Sequence, residues 1–197
     1  ASLGFTVNGI VPDGFRVMTM NKKVESLADM HGLKMRMPNL EIMVEIGNYL
    51  GFAVTPMSMT EVFSALEQGV IDGQENPPST IRSQGWYEIQ DYLLVSNHVF
   101  TSLFLCVNND FYNSLDSELQ NILDEVIDET CAQIWDTAQT QAQEDLDYMS
   151  SEGGIEVYEP SDSFRQEMVE ATAPMYDNMY ETAPEVEEVI NAIQAIQ

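Results

Sequence analysis

The sequence predicts an α/β fold in which β-α-β units are combined with one long helix. Over roughly the first ninety residues, short apolar runs alternate with helical stretches of about ten residues, a rhythm typical of β-α-β units around a mostly parallel sheet. Between residues 117 and 150 the apolar positions keep a helical spacing without a break. At 1.5 Å per residue, that stretch indicates a rod of roughly 50 Å.

Short β-branched or apolar runs bounded by Gly, Pro or Asn define the predicted strands. Gly51 and Gly69 end two of the helices between them, because Gly readily adopts the left-handed conformation that closes a helix. A helix follows Pro77 and Pro78, since Pro is tolerated in a first helical turn. The predicted strands cover residues 16–20, 33–37, 52–55, 70–72, 92–96, 101–107 and 155–158, and the other predicted helices cover 40–50, 60–68, 117–150, 161–179 and 185–196.

Two of these elements suggest a second lobe. The run at residues 103–107 is apolar at every position, which predicts a strand buried on both faces of a sheet. The helix at residues 117–150 is longer than one small domain needs, so we expect it to bridge two lobes. A coiled-coil arm is the alternative for this helix.

Composition and charge exclude several classes of function. The chain of 197 residues has 33 Asp and Glu residues against 7 Lys and Arg residues, which gives a net charge of −26. Binding to nucleic acid or to an anionic membrane needs a basic face, which seven scattered basic residues do not form. With 44% apolar residues the chain can still bury a core.

The sequence contains no recognisable catalytic or metal-binding motif. His31 and His98 are the only histidines, and their surroundings lack the spacing of zinc ligands. No nucleophile elbow, phosphate-binding loop or dinucleotide fingerprint occurs. Cys106 and Cys131 lack a C-x-x-C spacing, so a disulfide between them stays open. We therefore predict that the protein is not an enzyme and has no metal or cofactor.

The few basic residues are informative in so acidic a chain. Arg16 and Arg36 lie in apolar strand segments, where a charge is costly unless it meets a partner. Each Arg is either half of a structural ion pair or a planar clamp for an anionic ligand. Asn39 and Asn76 lie near a strand end and near Pro77, where neutral amides hold ligand oxygens or cap loops.

Several segments together carry a family resemblance. Residues 32–39 read GLKMRMPN, and residues 50–77 end in Gln74-Glu75-Asn76-Pro77. The spacing is ungapped across these core motifs, and the pattern continues through residues 86–90, 97–98, 107–108 and 115–116, so it covers essentially the whole chain. In these segments the chain closely resembles the solute-binding proteins of TRAP (tripartite ATP-independent periplasmic) transporters.

The resemblance implies a ligand site built around the arginines. Family members have a periplasmic-binding-protein-like fold with two α/β lobes, which are joined by crossing strands and a long helix and close on a small organic acid. By resemblance, Arg36 grips the ligand carboxylate, and Arg16 matches a second Arg that many sugar-acid binders use. The other members of the predicted site are Asn39, Met59, which stands where an aromatic residue often lines the cleft, Glu75 and Asn76.

The same resemblance predicts how the chain is organised. Family members are longer, so the chain is expected to be a carboxyl-terminal portion that lacks most of the first lobe and any signal peptide. Residues 14–101 and 142–197 are assigned to the second lobe. Residues 102–141 would complete the first lobe, and residues 1–13 would form the segment that enters between the lobes.

The predicted function is capture of an organic acid outside the cytoplasm, in the periplasm or extracellularly. The partners are this ligand and the permease subunits of a TRAP transporter. The alternative is a ligand-sensing or adhesion module that reuses the fold without a permease. Because the strand at 103–107 and the long helix lack a covering lobe, the chain is also expected to self-associate.

Overall fold

The structure is a computed structural model that describes residues 3–195, and its strands form one sheet of two strands and one of six. None of the helices in this range is both long and apolar enough to cross a membrane. The strands are β1 (Phe5–Phe15), β2 (Val17–Met20), β3 (Lys34–Met37), β4 (Ala53–Pro56), β5 (Gly73–Asn76), β6 (Tyr92–Leu94), β7 (Phe100–Asn108) and β8 (Glu156–Tyr158). The helices are α1 (Leu27–Met30), α2 (Glu41–Tyr49), α3 (Val62–Glu67), α4 (Pro78–Ser83), α5 (Asn109–Ser114), α6 (Ser117–Ser151), α7 (Asp162–Thr172), α8 (Pro174–Thr182) and α9 (Val186–Gln194).

The six-stranded sheet has the order β4-β3-β5-β2-β6-β8 and confirms the α/β class. β3 is parallel to β4 and β5, and β6 is parallel to β8, whereas β2 is antiparallel to both of its neighbours. Three of the five strand pairings are parallel, so the sheet is mostly parallel as predicted, and the two antiparallel pairings are those of β2 at its centre. β2 follows β1 after Arg16 alone, so the chain passes directly from the two-stranded sheet into the centre of the six-stranded one.

Two apolar clusters cover the two faces of this sheet. Alternate residues of a strand point to opposite faces, and in β2 Met18 joins one cluster while Val17 joins the other. Phe164 of α7 anchors the first cluster, and Trp86 anchors the second. Because both faces are covered, β2 and β5 are buried at every position.

The helix ends near the sheet follow local sequence signals. Gly51 and Gly69, with φ of 87° and 67°, end α2 and α3 as predicted. The helix predicted from residue 60 is preceded by a turn that begins one residue earlier, at Met59. Ser58 is the capping residue, and it forms a reciprocal capping box with Glu61 in a short 3-10 turn before α3.

The helix predicted for residues 161–179 is two helices, α7 and α8. Pro174 occupies the first position of α8, where it has no N–H to continue the hydrogen bonds of α7. Residue 196, the predicted end of the last helix, lies outside the described residues. Within them, α9 ends at Gln194.

The strand predicted at residues 70–72 is displaced along the chain. β5 begins only at Gly73, and Val70 before it is 50% exposed. The prediction relied on β-branched side chains, whereas β5 carries Gln74, Glu75 and Asn76. These polar side chains tolerate burial because hydrogen bonds satisfy them.

Helix α6 confirms the predicted long helix and contacts both sheets. Asp116 caps its first turn by accepting a backbone N–H. On the side of the two-stranded sheet, Trp135 Nε1 donates to the carbonyl oxygen of Ile10 at 3.0 Å. Further along, Asp145 is buried and pairs with Arg82 of α4 at 2.7 Å. Helix α6 therefore packs against both sheets.

β7 pairs with β1 alone in the two-stranded sheet. Leu103 is 55% exposed and Phe104 is 61% exposed. The prediction that residues 103–107 are buried on both faces is thus wrong for the part of the chain described, because no further strand or layer covers these side chains there. β1 was not predicted, and it occupies much of the segment assigned to 1–13.

Cys106 and Cys131 are free thiols, so they form no disulfide.

The exposed apolar side chains of β7 predict that the 197-residue chain self-associates. Apolar patches and unpaired strand edges of this kind promote pairing with a second copy. Light scattering at micromolar concentration should show species larger than a monomer, and Phe104→Lys should reduce them.

Phe63→Lys is the matched control, because Phe63 is 39% exposed on α3, outside the two-stranded sheet. That substitution should leave the oligomer unchanged. A monodisperse wild-type monomer with little binding of a dye for apolar surface would contradict the prediction.

Candidate anion-binding site

Arg36 is a buried guanidinium near the carboxyl end of β3. In the parallel register it lies beside Gln74 of β5, and it is only 4% exposed. Its Nε and Nη2 donate to the carbonyl oxygen of Met57 at 3.1 and 2.9 Å. Burial is the main cause that lowers the pKa of Arg36, with Glu75 opposing the shift and Arg16 adding to it.

Arg36 has no carboxylate within salt-bridge distance among residues 3–195. Met57 engages only the side edge of the guanidinium, which leaves N–H groups of Nη1 and Nη2 at the outer edge. A buried charge without a partner is costly, so such groups are normally paired or bind a ligand. The outer edge presents the two parallel donors that bind a carboxylate best.

Arg16, in contrast, is paired within the protein. Its Nε donates to Oε2 of Glu75 at 2.5 Å and its Nη2 donates to Oε1 at 2.9 Å. Nη2 also lies within hydrogen-bond distance of the Glu75 carbonyl oxygen and of Oδ1 of Asn76. The Arg16 side chain is 8% exposed and the Glu75 side chain is fully buried. The structural ion pair, one of the two alternatives for Arg16, is therefore present.

His98 is a further neighbour of Glu75. Its Nε2 lies 3.3 Å from Oε2 of Glu75 but outside the alignment of a hydrogen bond, and its Nδ1 lies 2.8 Å from Oγ of Ser96. Burial alone would raise the pKa of Glu75. The contacts with His98 and Arg16 outweigh burial and hold this pKa below its usual value. Glu75 is therefore a buried but ionised carboxylate.

A chain of neutral side chains extends from the ion pair along the sheet. Asn76 Nδ2 donates to Oε1 of Gln74 at 2.8 Å, and Gln74 Nε2 donates to Oγ1 of Thr19 at 3.0 Å. Thr19 Oγ1 in turn donates to Oε1 of Gln90 at 3.1 Å. All four residues are buried, so this connected network holds Asn76 in one orientation.

Asn39 and Met59 lie in the segments that follow β3 and β4. Because these strands are parallel, both segments leave the sheet at the edge where Arg36 lies. Both residues are exposed, and neither side chain hydrogen-bonds to the buried groups in the described range. The structure thus brings four predicted site residues together with His98 and leaves Asn39 and Met59 outside. The arginine cluster consists of Arg16, Arg36, Glu75, Asn76 and His98.

Sequence reasoning did not include His98, Gln74 or Thr19 in the site. Gln74 had a usable signal, because it directly precedes Glu75 and Asn76, which the sequence analysis assigned to the site. His98 meets Glu75 only through the folded sheet, and no spacing in the sequence indicates that contact. Thr19 is a β-branched strand residue like many others, so its polar role is visible only in the structure.

A cavity of about 720 Å³ lies elsewhere, beside the two-stranded sheet and α6. Its lining includes Asp124 and Asp128 but no Lys or Arg. Two carboxylates without a counter-charge disfavour an anion. The arginine cluster is therefore the better candidate for anion binding, although it lies outside this cavity.

At a strand end of this α/β sheet, a buried guanidinium without a carboxylate partner among residues 3–195 has the features of a site for a small anion. The chain belongs to the bacterial extracellular solute-binding protein family 7, whose sequence model matches residues 1–183. This match confirms the resemblance to TRAP solute-binding proteins.

Individual relatives agree with the family match. An uncharacterised protein of Haemophilus influenzae is 35% identical over 181 residues, which are 92% of this chain and 55% of that protein. The C4-dicarboxylate-binding periplasmic protein DctP of Rhodobacter capsulatus is 30% identical over 178 residues, 90% of this chain and 54% of that protein. A solved TRAP periplasmic solute binding protein from Haemophilus influenzae with bound L-gulonate has a TM-score of 0.92 and 33% identity, covering 100% of this chain and 64% of that one. The chain thus spans about half the length of the curated relatives it matches.

Glu75→Gln should destabilise the fold, because it leaves Arg16 buried without a carboxylate. Breaking a buried ion pair by removing one partner costs about 3–5 kcal/mol. Urea unfolding at neutral pH measures the loss. Glu67→Gln, at an exposed carboxylate of α3, is the matched control and should change stability by less than about 0.5 kcal/mol.

The lowered pKa of Glu75 also predicts a pH dependence. A carboxyl whose folded pKa lies below its unfolded value of about 4.3 stabilises the fold above that pH and loses this contribution as pH falls through the folded pKa. The stability of the wild type should therefore fall more steeply than that of Glu75→Gln once the pH drops below about 4.3. Thermal unfolding from neutral to acidic pH measures both proteins, and parallel curves would contradict the assignment.

Proposed function

We propose that this chain carries the ligand-gripping part of an extracytoplasmic solute-binding protein, which captures a small organic acid and delivers it to a TRAP-type membrane permease. The observation that carries the proposal is the outer edge of Arg36, which is buried, charged and without a protein carboxylate in the described residues. Membership of family 7 supports it, and so do relatives named for C4-dicarboxylates or solved with L-gulonate.

In this proposal the ligand carboxylate binds Arg36 through two charge-assisted hydrogen bonds. Arg16 contributes the N–H groups of Nη1, which have no described partner, and Asn76 contributes its amide. Asn39 and Met59 approach from the segments after β3 and β4 and contact the remainder of the ligand. No bond of the ligand is made or broken.

Lobe closure would strengthen these contacts by excluding water. We assign residues 14–101 and 142–197 to one lobe and residues 102–141 to the other, with residues 1–13 entering between them. The contacts of α6 with both sheets support a helix that spans the two lobes. The two arginines also reduce the repulsion that an anion meets near a chain of net charge −26.

The proposed location is the periplasm or the cell exterior, and the proposed partner is a pair of permease subunits. Relatives whose names include the word periplasmic support the location. The genes beside this one test the partner: small and large permease subunits would support transport. A neighbouring sensor kinase or receptor without a permease would favour ligand sensing instead.

Arg36→Lys should weaken binding of the cognate acid strongly. Lys keeps the charge but offers a compact donor on a flexible stem, so the planar match of two hydrogen bonds is lost. A loss of about 1.5–3 kcal/mol, or roughly tenfold to a hundredfold in the dissociation constant, is expected. Calorimetry on the protein as its gene encodes it measures this change.

Arg165→Lys is the matched control, because Arg165 is a partly exposed arginine with only long contacts to Ser96 and Glu159. Its binding constant should equal that of the wild type. Arg36→Lys should keep the circular dichroism spectrum of the wild type. Binding by Arg36→Lys within about twofold of the wild type would place the carboxylate clamp elsewhere.

A further inference from the structure

An amphipathic groove of about 540 Å³ lies between α2, α7, α8, α9 and residues 96–98, which lie between β6 and β7. Of the arginine cluster, His98 alone lines this groove, and the side chain of His98 is only 5% exposed. The volume lies in the range of about 300–1,000 Å³ that is usual for small-molecule sites. We propose that the amphipathic groove is a second ligand site, which binds a free single-chain amphiphilic carboxylate such as a medium-chain fatty acid.

The walls of the amphipathic groove are largely apolar. α2 contributes Ile42 and Ile46, α7 contributes Val169, and α8 contributes Met175 and Met179. Ile42 is 45% exposed and Val169 is 57% exposed, so apolar surface is open to an occupant here. The methionines can fit ligands of different shape, because their side chains are unbranched and flexible. Apolar surface gathered in a concave site is typical of ligand-binding grooves.

The cationic group of the amphipathic groove is Arg165, which stands where α7 meets residues 96–98. Its Nη1 lies 3.3 Å from the carbonyl oxygen of Ser96, and its Nη2 lies 3.5 Å from Oε2 of Glu159. The Glu159 side chain is 67% exposed, and an exposed ion pair of this length contributes little. The guanidinium therefore keeps N–H groups and charge for a carboxylate.

The lining of the amphipathic groove includes no Asp or Glu in the part of the chain that the structure describes, although the sequence has 33 of these residues. From residue 83 onward, Arg165 is the only Lys or Arg in the sequence, and it lies at this groove. A carboxylate is therefore attracted here, on a chain whose net charge of −26 repels anions over most of its surface. A neutral amphiphile gains nothing from Arg165, and a cationic amphiphile is repelled by it.

The size of the amphipathic groove favours a free acid over a membrane lipid. At about 30 Å³ for a group the size of a water molecule, the groove holds roughly 18 such groups. That is enough for octanoate and too little for a phospholipid with two acyl chains. One apolar tail and one anionic head group thus match the walls and the cation of the groove.

Octanoate, octanol and octylammonium test the head group, because they share a tail and differ in charge. Calorimetry on the protein as its gene encodes it should give a millimolar or tighter dissociation constant for octanoate. Octanol and octylammonium should bind at least about tenfold more weakly. Octanol or octylammonium binding as tightly as octanoate would overturn the anionic ligand class.

Two substitutions test the position of the ligand. Val169→Asp should abolish octanoate binding, because it places a carboxylate in the apolar wall at an exposed position that the fold tolerates. Val189→Asp is the matched control, since Val189 is also 57% exposed, on α9, and does not line the groove. Octanoate binding should be unchanged in this control. Arg165→Gln should weaken octanoate to the level of octanol.

Arg36→Lys separates the amphipathic groove from the arginine cluster, and it should leave the affinity for octanoate unchanged. Octanoate binding that is lost in Arg36→Lys but kept in Val169→Asp and Arg165→Gln would place this acid in the arginine cluster. That result overturns the inference and leaves the proposed function standing. Absence of octanoate binding also overturns the inference, and an oligomer that Val169→Asp dissociates would then assign the groove to a second copy of the chain.

Discussion

The buried ion pair between Arg16 and Glu75 is the interaction on which the site depends. It joins the start of β2 to β5, and it allows a strand of polar residues to lie at the centre of a sheet covered on both faces. Nη2 of Arg16 also donates to Oδ1 of Asn76, whose Nδ2 donates in turn to Gln74. Without the pair, β5 would place an ionised carboxylate in an apolar core.

A buried ion pair is seldom the most stable solution for a core, because apolar residues of similar volume avoid the desolvation of two charges. Its presence here is better explained by what it does to its neighbour. The carboxylate of Glu75 accepts hydrogen bonds from Nε and Nη2 of Arg16 and is therefore not available to Arg36. The only acceptor described for the Arg36 guanidinium is the carbonyl oxygen of Met57. Two arginines that look alike in sequence thus differ in their surroundings: Glu75 balances the charge of Arg16, whereas no carboxylate in the described residues pairs with Arg36.

Part of this arrangement was predictable from local signals. Glycines with a left-handed φ marked the ends of α2 and α3, and an unbroken apolar stripe marked α6, because each depends on residues close together in the chain. The direction of β2 was not predictable, since it is set by its pairing with β5 and β6, which lie far along the chain. β5 was misplaced because its burial comes from hydrogen bonds, for which apolar periodicity gives no signal.

The candidate site was predictable to a similar extent. The strand-end positions of Arg16 and Arg36 indicated an unusual charge, but whether each pairs internally depends on contacts with residues far along the chain. The pairing of Arg16 with Glu75 is such a contact, and the approach of His98 to the same carboxylate is another. Local sequence therefore identified the charged groups, and the sheet register determined which of them is satisfied.

The central claim is that the outer edge of Arg36 binds the ligand carboxylate while Glu75 keeps Arg16. A crystal structure of the protein, as its gene encodes it, with its tightest-binding acid tests this most directly. The account predicts carboxylate oxygens about 2.7–2.9 Å from Nη1 and Nη2 of Arg36, with both hydrogen bonds between Arg16 and Glu75 intact. A carboxylate seated on Arg16 with Glu75 turned away, or a ligand without contact to Arg36, would contradict it.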